Sequence, residues 1–507
     1  MQPSKRIIVN TAAQYTRSIF NMVLGLISTR VILKTLGVDD FGIYSVVAGA
    51  VSLLSFITNA LVVTTQRYLS VTQGEKNAEK SKTVFNNCLV LHLFIGLLIV
   101  TIMEILYPFL MNGFLNIPEV RLSSAKALYH TIVCVMWLTL VTSPFRAVIV
   151  SHENIVYISI IEVLDATFKL LIAFALYFIN ADKLFIYGVL LVGIQLFNLL
   201  ALSIYAYSKF PECIMPRKDL VDTKYMKEIF SFAGWTMYNI GCNFGRTQGI
   251  AIALNKAYTT AINAAYGLGF QVSGGLSALS QSLANAINPQ LMKAEGAGNR
   301  NKMLRLAEVE SKFSFLFMAA LSIPALFEIE TLLQLWLGRV PEHSALFCRM
   351  VIMAALCDML TFGLGSANKA IGDIRNYTLL IYTIKLSTLF VVILLLFARC
   401  PLYSIAIAYV VIEFISSIIR INFLKHTAGL NVRRFVRNVI FKEIIPICIL
   451  VLACYCSIWF ISWKYRFIIT FIGPIILFLA SIYFWGLCPD EKQVISNYLL
   501  KLRVQKK

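Results

Sequence analysis

Residues 155–172 read IVYISIIEVLDATFKLLI. The run approaches the roughly 20 apolar residues that a helix needs to cross the hydrocarbon core of a bilayer, yet it carries three charges. Glu162, Asp165 and Lys169 are spaced by three and four residues and share one helical face. A charge at bilayer depth costs a few kcal/mol at least, so this face turns away from lipid. Two readings fit it. The charges neutralise one another as an internal ion-pair network, or the carboxylates carry protons or bind Na⁺ as coupling groups.

The same pattern of cations inside apolar runs recurs along the chain. Arg30 and Lys34 lie in the first run, Arg246 in the seventh and Lys385 in the eleventh. A membrane protein that keeps several cations at depth is expected to handle something negative. Of 507 residues, 58% are apolar and only 14% charged, a membrane composition. The apolar runs begin near Thr11, Gly42, Val84, Ala125, Ile155, Phe185, Ile229, Asn263, Ala307, Ala345, Tyr377, Tyr403, Glu443 and Phe467. They predict an all-α polytopic membrane protein of about 14 transmembrane helices. The layout is two six-helix lobes in parallel pseudo-repeat, followed by two C-terminal helices. The boundaries read as an N-terminal lobe over 1–207, a cytoplasmic linker over 208–228, a second lobe over 229–424, and a loop, two further helices and a basic tail over 425–507.

The formal net charge is +19. Most of the Lys and Arg fall on the side that holds both termini and the even-numbered connections. The positive-inside rule makes that side cytoplasmic, with anionic lipid head groups rather than nucleic acid as the partner of the basic excess. Lys5 and Arg6 precede the first run without a small-residue cleavage site, which reads as an uncleaved first helix. The eleven Cys are scattered through apolar runs, as buried free thiols rather than a disulfide framework.

The two lobes resemble each other in sequence. The second run opens with Gly42-Ile43-Tyr44-Ser45 and ends in Gln73-Gly74-Glu75-Lys76; the eighth opens with Ala264-Ala265-Tyr266-Gly267 and ends in Gly296-Ala297-Gly298-Asn299-Arg300. An even number of helices per lobe keeps both in one orientation, a common transporter plan with the substrate path between halves.

Polar stripes mark the second lobe. Asn239, Asn243 and Arg246 share a face of the seventh helix, and Gln271, Gly275, Ser282 and Asn285 share one of the eighth. Such stripes either line a wet cavity or hydrogen-bond between packed helices. Arg246 needs the stronger source of solvation, which favours the cavity. Arg30, near the outer end of its helix, either snorkels to the interface or flanks the same cavity from the other lobe. Lys385 and Glu413 fall at similar depths and are expected to pair, Asp358 reads as a lone acid, and Arg420 reads as snorkelling at a helix end.

Catalytic signatures are missing. The chain has no Gly-x-x-x-x-Gly-Lys loop, His152-Glu153 is not followed by a second zinc-ligand His, and the five His are dispersed. No metal or cofactor site is expected, and transport is favoured over catalysis.

Four stretches carry a family resemblance: Thr35-Leu36-Gly37-Val38-Asp39-Asp40-Phe41-Gly42-Ile43-Tyr44, Phe232-Ala233-Gly234-Trp235, Asn263-Ala264-Ala265-Tyr266-Gly267 and Asn288-Pro289-Gln290-Leu291. On these, and over nearly its full length, the chain resembles a polysaccharide (O-antigen or capsule repeat-unit) flippase of the multidrug/oligosaccharidyl-lipid/polysaccharide exporter superfamily. The resemblance implies alternating access in a bacterial cytoplasmic (inner) membrane. The cargo would be an undecaprenyl-pyrophosphate-linked glycan, and the functional partners a polysaccharide polymerase and glycosyltransferases. Under it, Arg30 and Arg246 meet the diphosphate, and Asn239, Asn243, Gln271 and Asn285 meet sugar hydroxyls. Glu162, Asp165 or Asp358 supply H⁺ or Na⁺ coupling. The rival readings are a peptidoglycan lipid-precursor flippase, a multidrug cation exporter and, in a different class, a membrane glycosyltransferase or ligase.

Overall fold

In the computed structural model, the described residues are 3–52, 55–111, 117–258, 260–337, 340–460 and 466–493. Over these the chain is helical, with no strand. The helices are α1 (Pro3–Ser52), α2 (Ser55–Gly74), α3 (Ala78–Phe109), α4 (Leu122–Ser151), α5 (Ile155–Ala175) and α6 (Lys183–Lys209). Next come α7 (Thr223–Ala257), α8 (Thr260–Gly296), α9 (Arg300–Phe327), the short α10 (Ile329–Leu337), α11 (Ser344–Met359) and α12 (Phe362–Ile371). The chain closes with α13 (Ile374–Phe397), α14 (Leu402–Ala428), the single turn α15 (Val432–Phe435), α16 (Phe441–Phe460) and α17 (Arg466–Ser481). The basic tail expected at the C-terminus lies outside the described residues.

Among the described residues, nine helices are long and apolar enough to cross a membrane, and α11 with α12 makes a tenth if this pair, bent by 49°, is one span. Four further helices, α2, α5, α7 and α8, are long enough but have lower hydropathy or, in α5, a third charge. With them the described helices come near the fourteen predicted. Three of these four are informative. Helix α5 carries the three charges quoted above, while α7 and α8 carry the polar stripes. They are membrane-length helices with faces unsuited to lipid.

Gly37 explains why α1 is two helices. Its φ of 84° breaks the helix within one continuous run, in a region open to glycine and costly for residues with a Cβ. The predicted repeat appears as shared local geometry. After α2, Lys76 takes φ 58°, Asn77 N–H returns to Thr72 O, and Asn77 Oδ1 accepts from Lys80 N at 3.0 Å to cap α3. After α8, Gly298 takes φ 71°, Asn299 N–H returns to Ala294 O, and Asn299 Oδ1 accepts from Lys302 N at 3.0 Å to cap α9. The same turn is built twice, with a left-handed residue followed by an Asn N-cap.

The chain divides into two compact units. One contains residues 9–237 with 296–298; the other contains 238–295 and 299–507 with 1–8. The first has a core around Val47, Leu69, Phe85, Tyr129 and Leu140. The second has one cluster around Phe315, Ile352 and Phe478 and another around Tyr266, Phe347 and Tyr409. Large apolar side chains such as Ile105, Phe178, Leu394 and Trp459 are exposed, as expected where lipid replaces water.

Candidate functional site

Each unit holds one cluster of intramembrane charges. In the C-terminal unit, Glu413 of α14 accepts from Arg246 of α7 and pairs with Lys385 of α13 at 2.8 Å. Lys385 also reaches Asp358 at the end of α11, at 2.7 Å, and Asp358 pairs with Arg420 of α14 at 2.9 Å. Arg246, Lys385, Arg420, Asp358 and Glu413 carry a formal charge of +1 together. Four of the five side chains are at most 8% exposed, while Asp358 is 25% exposed.

Local structure accounts for the placement. Lys385 and the two α14 residues lie on apolar helices whose lipid-facing sides are Phe390, Leu394, Phe414 and Ile418, so the charged side must turn inward. The break between α11 and α12 frees carbonyl groups that a continuous helix would use. Arg420 fills that need, donating to Thr361 O at 3.2 Å and Thr361 Oγ1 at 3.1 Å. A cation at a helix C-terminus also complements the helix dipole. The break is held by close packing of α12 on α9: a Cβ at Gly363 would meet Ala307 O at 2.2 Å.

These charges border a cavity of about 300 Å³ inside the C-terminal unit. Its walls include Asn243, Arg246, Ser273, Ser277, Asp358, Tyr382, Lys385, Tyr409 and Glu413. Arg246 lies over the Tyr409 ring, 4.7 Å from its centroid, and its Nε has no hydrogen-bond partner among the described residues. A guanidinium has five donor positions, so this one keeps capacity for another acceptor. The cavity combines cations, carboxylates, hydroxyls and an amide. It can accept an anion on its Arg and Lys side, and a cation or proton on its carboxylates.

In the N-terminal unit, Glu162 pairs with both Arg17 of α1 and Arg146 of α4. Asp165 takes Lys169 Nζ at 2.7 Å and Asn198 Nδ2 of α6 at 2.7 Å. This cluster also holds three cations and two acids. It draws on the first, fourth, fifth and sixth spans, as the other draws on the seventh, tenth, eleventh and twelfth. Here exposure reaches 38% at Arg146 and 46% at Lys169.

Several expectations change. Lys385 does pair with Glu413, as depth suggested. Arg246 lines a cavity, as its need for solvation suggests, but it is also salt-bridged to Glu413, because α14 brings that carboxylate to the same depth. Asp358 is not a lone acid; it is shared by Lys385 and Arg420. Arg420 does not snorkel but is buried against the helix break. Arg30 and Lys34 are exposed on α1 and pair with no acid among the described residues, and Arg30 belongs to the other unit from Arg246. Asn243 lines the cavity and holds Asn239 Oδ1 at 3.0 Å. Gln271 is exposed, and Asn285 accepts from Gln281; neither lines the cavity. Arg146, which completes the N-terminal cluster, is also a cation within an apolar run and carries no other sequence signal.

These features define an all-helical membrane protein with the fold of solved transporters. Over 85% of this chain and 97% of the other, it superposes on a mutant MATE structure with a TM-score of 0.73 at 11% identity. A mutant of the Vibrio cholerae MATE transporter VcmN gives a TM-score of 0.71 at 15% identity, over 85% and 98% of the two chains. A MOP superfamily transporter from Pyrococcus furiosus, described for the reverse polarity of its binding pocket, gives 0.69 at 11% identity over 86% and 97%. In sequence, 237 residues are 24% identical to the uncharacterized membrane protein EpsK of Bacillus subtilis strain 168, over 46% of this chain and 45% of that protein. The match therefore spans about half of that relative's length. No family model matches the chain.

Proposed function

We propose that this protein is a flippase that moves a lipid-linked, diphosphate-bearing oligosaccharide across the cytoplasmic membrane by alternating access. The observation that carries the reading is the cavity of the C-terminal unit. It is bordered by Arg246, with an unfilled Nε donor, and by Lys385, in a cluster where three cations face two acids. A diphosphate presents several anionic oxygens, and the planar guanidinium of Arg recognises such groups with paired donors. Asn243, Ser273, Ser277 and Tyr382 offer partners to sugar hydroxyls.

The cluster also suggests the coupling step. Glu413 holds both Arg246 and Lys385 when ionised. Neutralising it would free Arg246 for the arriving anion and leave Lys385 with Asp358 alone, and departure of the anion would let the Arg246 pair form again. Only Asp358, the most exposed of the acids, remains between Lys385 and Arg420. A ligand drives such a change by binding one state more tightly than the other.

A multidrug cation exporter is the second reading, favoured by the presence of Asp358 and Glu413 in the same cavity wall and by structural similarity to a multidrug resistance MATE family transporter (TM-score 0.70, 11% identity). Purified protein in liposomes separates the two. The flippase reading predicts movement of a fluorescent undecaprenyl-diphosphate disaccharide between leaflets and no accumulation of ethidium. Accumulation of ethidium without movement of the lipid would falsify the flippase reading and establish the exporter.

A further inference from the structure

A second cavity, of about 530 Å³, opens on the outside of the C-terminal unit between α7 and α13. The two helices run parallel. Tyr238 meets Thr383 with hydroxyls 2.9 Å apart, Gly245 lies beside Leu386, and a Cβ at Gly249 would come within 2.7 Å of Leu389. Ala253, Ile393 and Phe397 wall the groove toward the C-terminal ends of the two helices. Lys256, in the last turn of α7, is the sole charged residue in its lining.

A second cation follows the lining residue Phe397 just past the end of α13. Arg399 follows Phe397 by two residues, is exposed, and takes φ 54°. Its N–H returns to Leu396 O at 3.1 Å and the next N–H, of Cys400, to Leu395 O at 2.9 Å. That is the helix-ending turn in which glycine is the favoured left-handed residue. A cation occupies a position where glycine is the less strained choice. Neither Lys256 nor Arg399 pairs with an acid among the described residues.

We propose that this groove holds the isoprenoid chain of a polyprenyl diphosphate, with the diphosphate at Lys256 and Arg399. The inference rests on the flippase reading and adds a site for the lipid half of the cargo. An apolar trough ended by two cations matches an apolar chain ended by a diphosphate, and the volume is that of an ordinary ligand pocket. On the positive-inside reading, α7 and α13 are odd-numbered spans that both leave the basic face, so the end that carries Lys256 lies at the outer leaflet. The groove is then where translocated lipid lodges before release.

The test uses the purified full-length protein and a polyprenyl diphosphate carrying a diazirine in its isoprenoid chain. After photolysis, the labelled peptides should include residues 249–257 and 389–397. Undecaprenyl diphosphate at tenfold excess should suppress that label, and phosphatidylglycerol at the same excess should not. Ala253→Phe, which fills the groove, should reduce the label about tenfold, the equivalent of about 1.4 kcal/mol. The exposed pair Lys256→Glu and Arg399→Glu should do the same without touching the core. Equal competition by phosphatidylglycerol marks an ordinary lipid contact and overturns the proposal, as does unchanged labelling in both variants. If the groove fails while the protein still flips the diphosphate lipid, the flippase reading stands; if the protein neither labels nor flips it, both fall.

Discussion

The two charge clusters have the same formal sum and draw on corresponding helices, but they differ in access to solvent. In the C-terminal cluster, Arg246, Glu413, Lys385 and Arg420 are at most 8% exposed. In the N-terminal cluster, Arg17 and Glu162 are 16% and 20% exposed, and Arg146 and Lys169 more than a third. Charge pairs gain strength and cost more to break as water is withdrawn. The same charge count therefore makes one tightly tied network beside a cavity and one loosely tied network. A transporter that must exchange an internal partner for a cargo group needs the first kind; the second is suited to holding helices together.

The largest expected effect is at Arg246. Arg246→Ala leaves Glu413 buried with half its partners, and breaking a buried pair costs about 3–5 kcal/mol. Thermal unfolding in detergent should register that loss, and flipping should stop. Arg246→Lys should restore part of the stability and little of the flipping, because a point charge replaces a planar donor set.

Next is Gly363→Ala, which tests the bend that brings Asp358 and Thr361 to Arg420. The added Cβ would lie 2.2 Å from the Ala307 carbonyl, and forcing α12 off α9 should cost about 1–3 kcal/mol. An unchanged melting temperature would mean that the bend is not held by this contact.

Glu162→Gln should cost about 1 kcal/mol, in the range of solvent-accessible pairs, and the deficit should shrink in high salt. A loss as large as that of Arg246→Ala, and indifferent to salt, would erase the distinction between the clusters.

The smallest effect concerns Glu328, where α9 meets α17. Burial pushes its carboxyl up, but hydrogen bonds from Arg466 (2.7 and 3.1 Å), Thr331 and Thr470 prevail and hold it below its ordinary 4.5. A depressed carboxyl contributes stability that is present above its unfolded value and lost as pH falls through the lower folded value. Glu328→Gln should therefore lose stability at neutral pH and little in acid. A deficit independent of pH would remove the ion pair as its cause.

Much of the fold is legible in the sequence because span length is a local property. Each of the fourteen predicted starts falls inside a helix, and the Gly74 and Gly296 turns share their geometry as their sequences suggested. Pairing is a different matter. Arg246 and Glu413 are 167 positions apart, and only packing decides which side chains meet. Equal depth was enough to join Lys385 to Glu413 but not to exclude Arg246 from the same carboxylate. The α11–α12 break carries no proline, so Arg420 read as a helix-end residue when its partner is the carbonyl group of Thr361.

The central claim is that the Arg246–Glu413 pair serves the cargo rather than the fold. The double variant Arg246→Met, Glu413→Leu removes both charges, keeps Lys385 paired with Asp358, and leaves the cluster at its original formal charge. Replacing a buried pair by apolar side chains is often neutral in stability. The measurement is flipping of a fluorescent undecaprenyl-diphosphate disaccharide by this variant in liposomes, alongside its melting temperature. The account predicts stability within about 1 kcal/mol of the parent and no flipping. A stable variant that flips the lipid at the parental rate would contradict it.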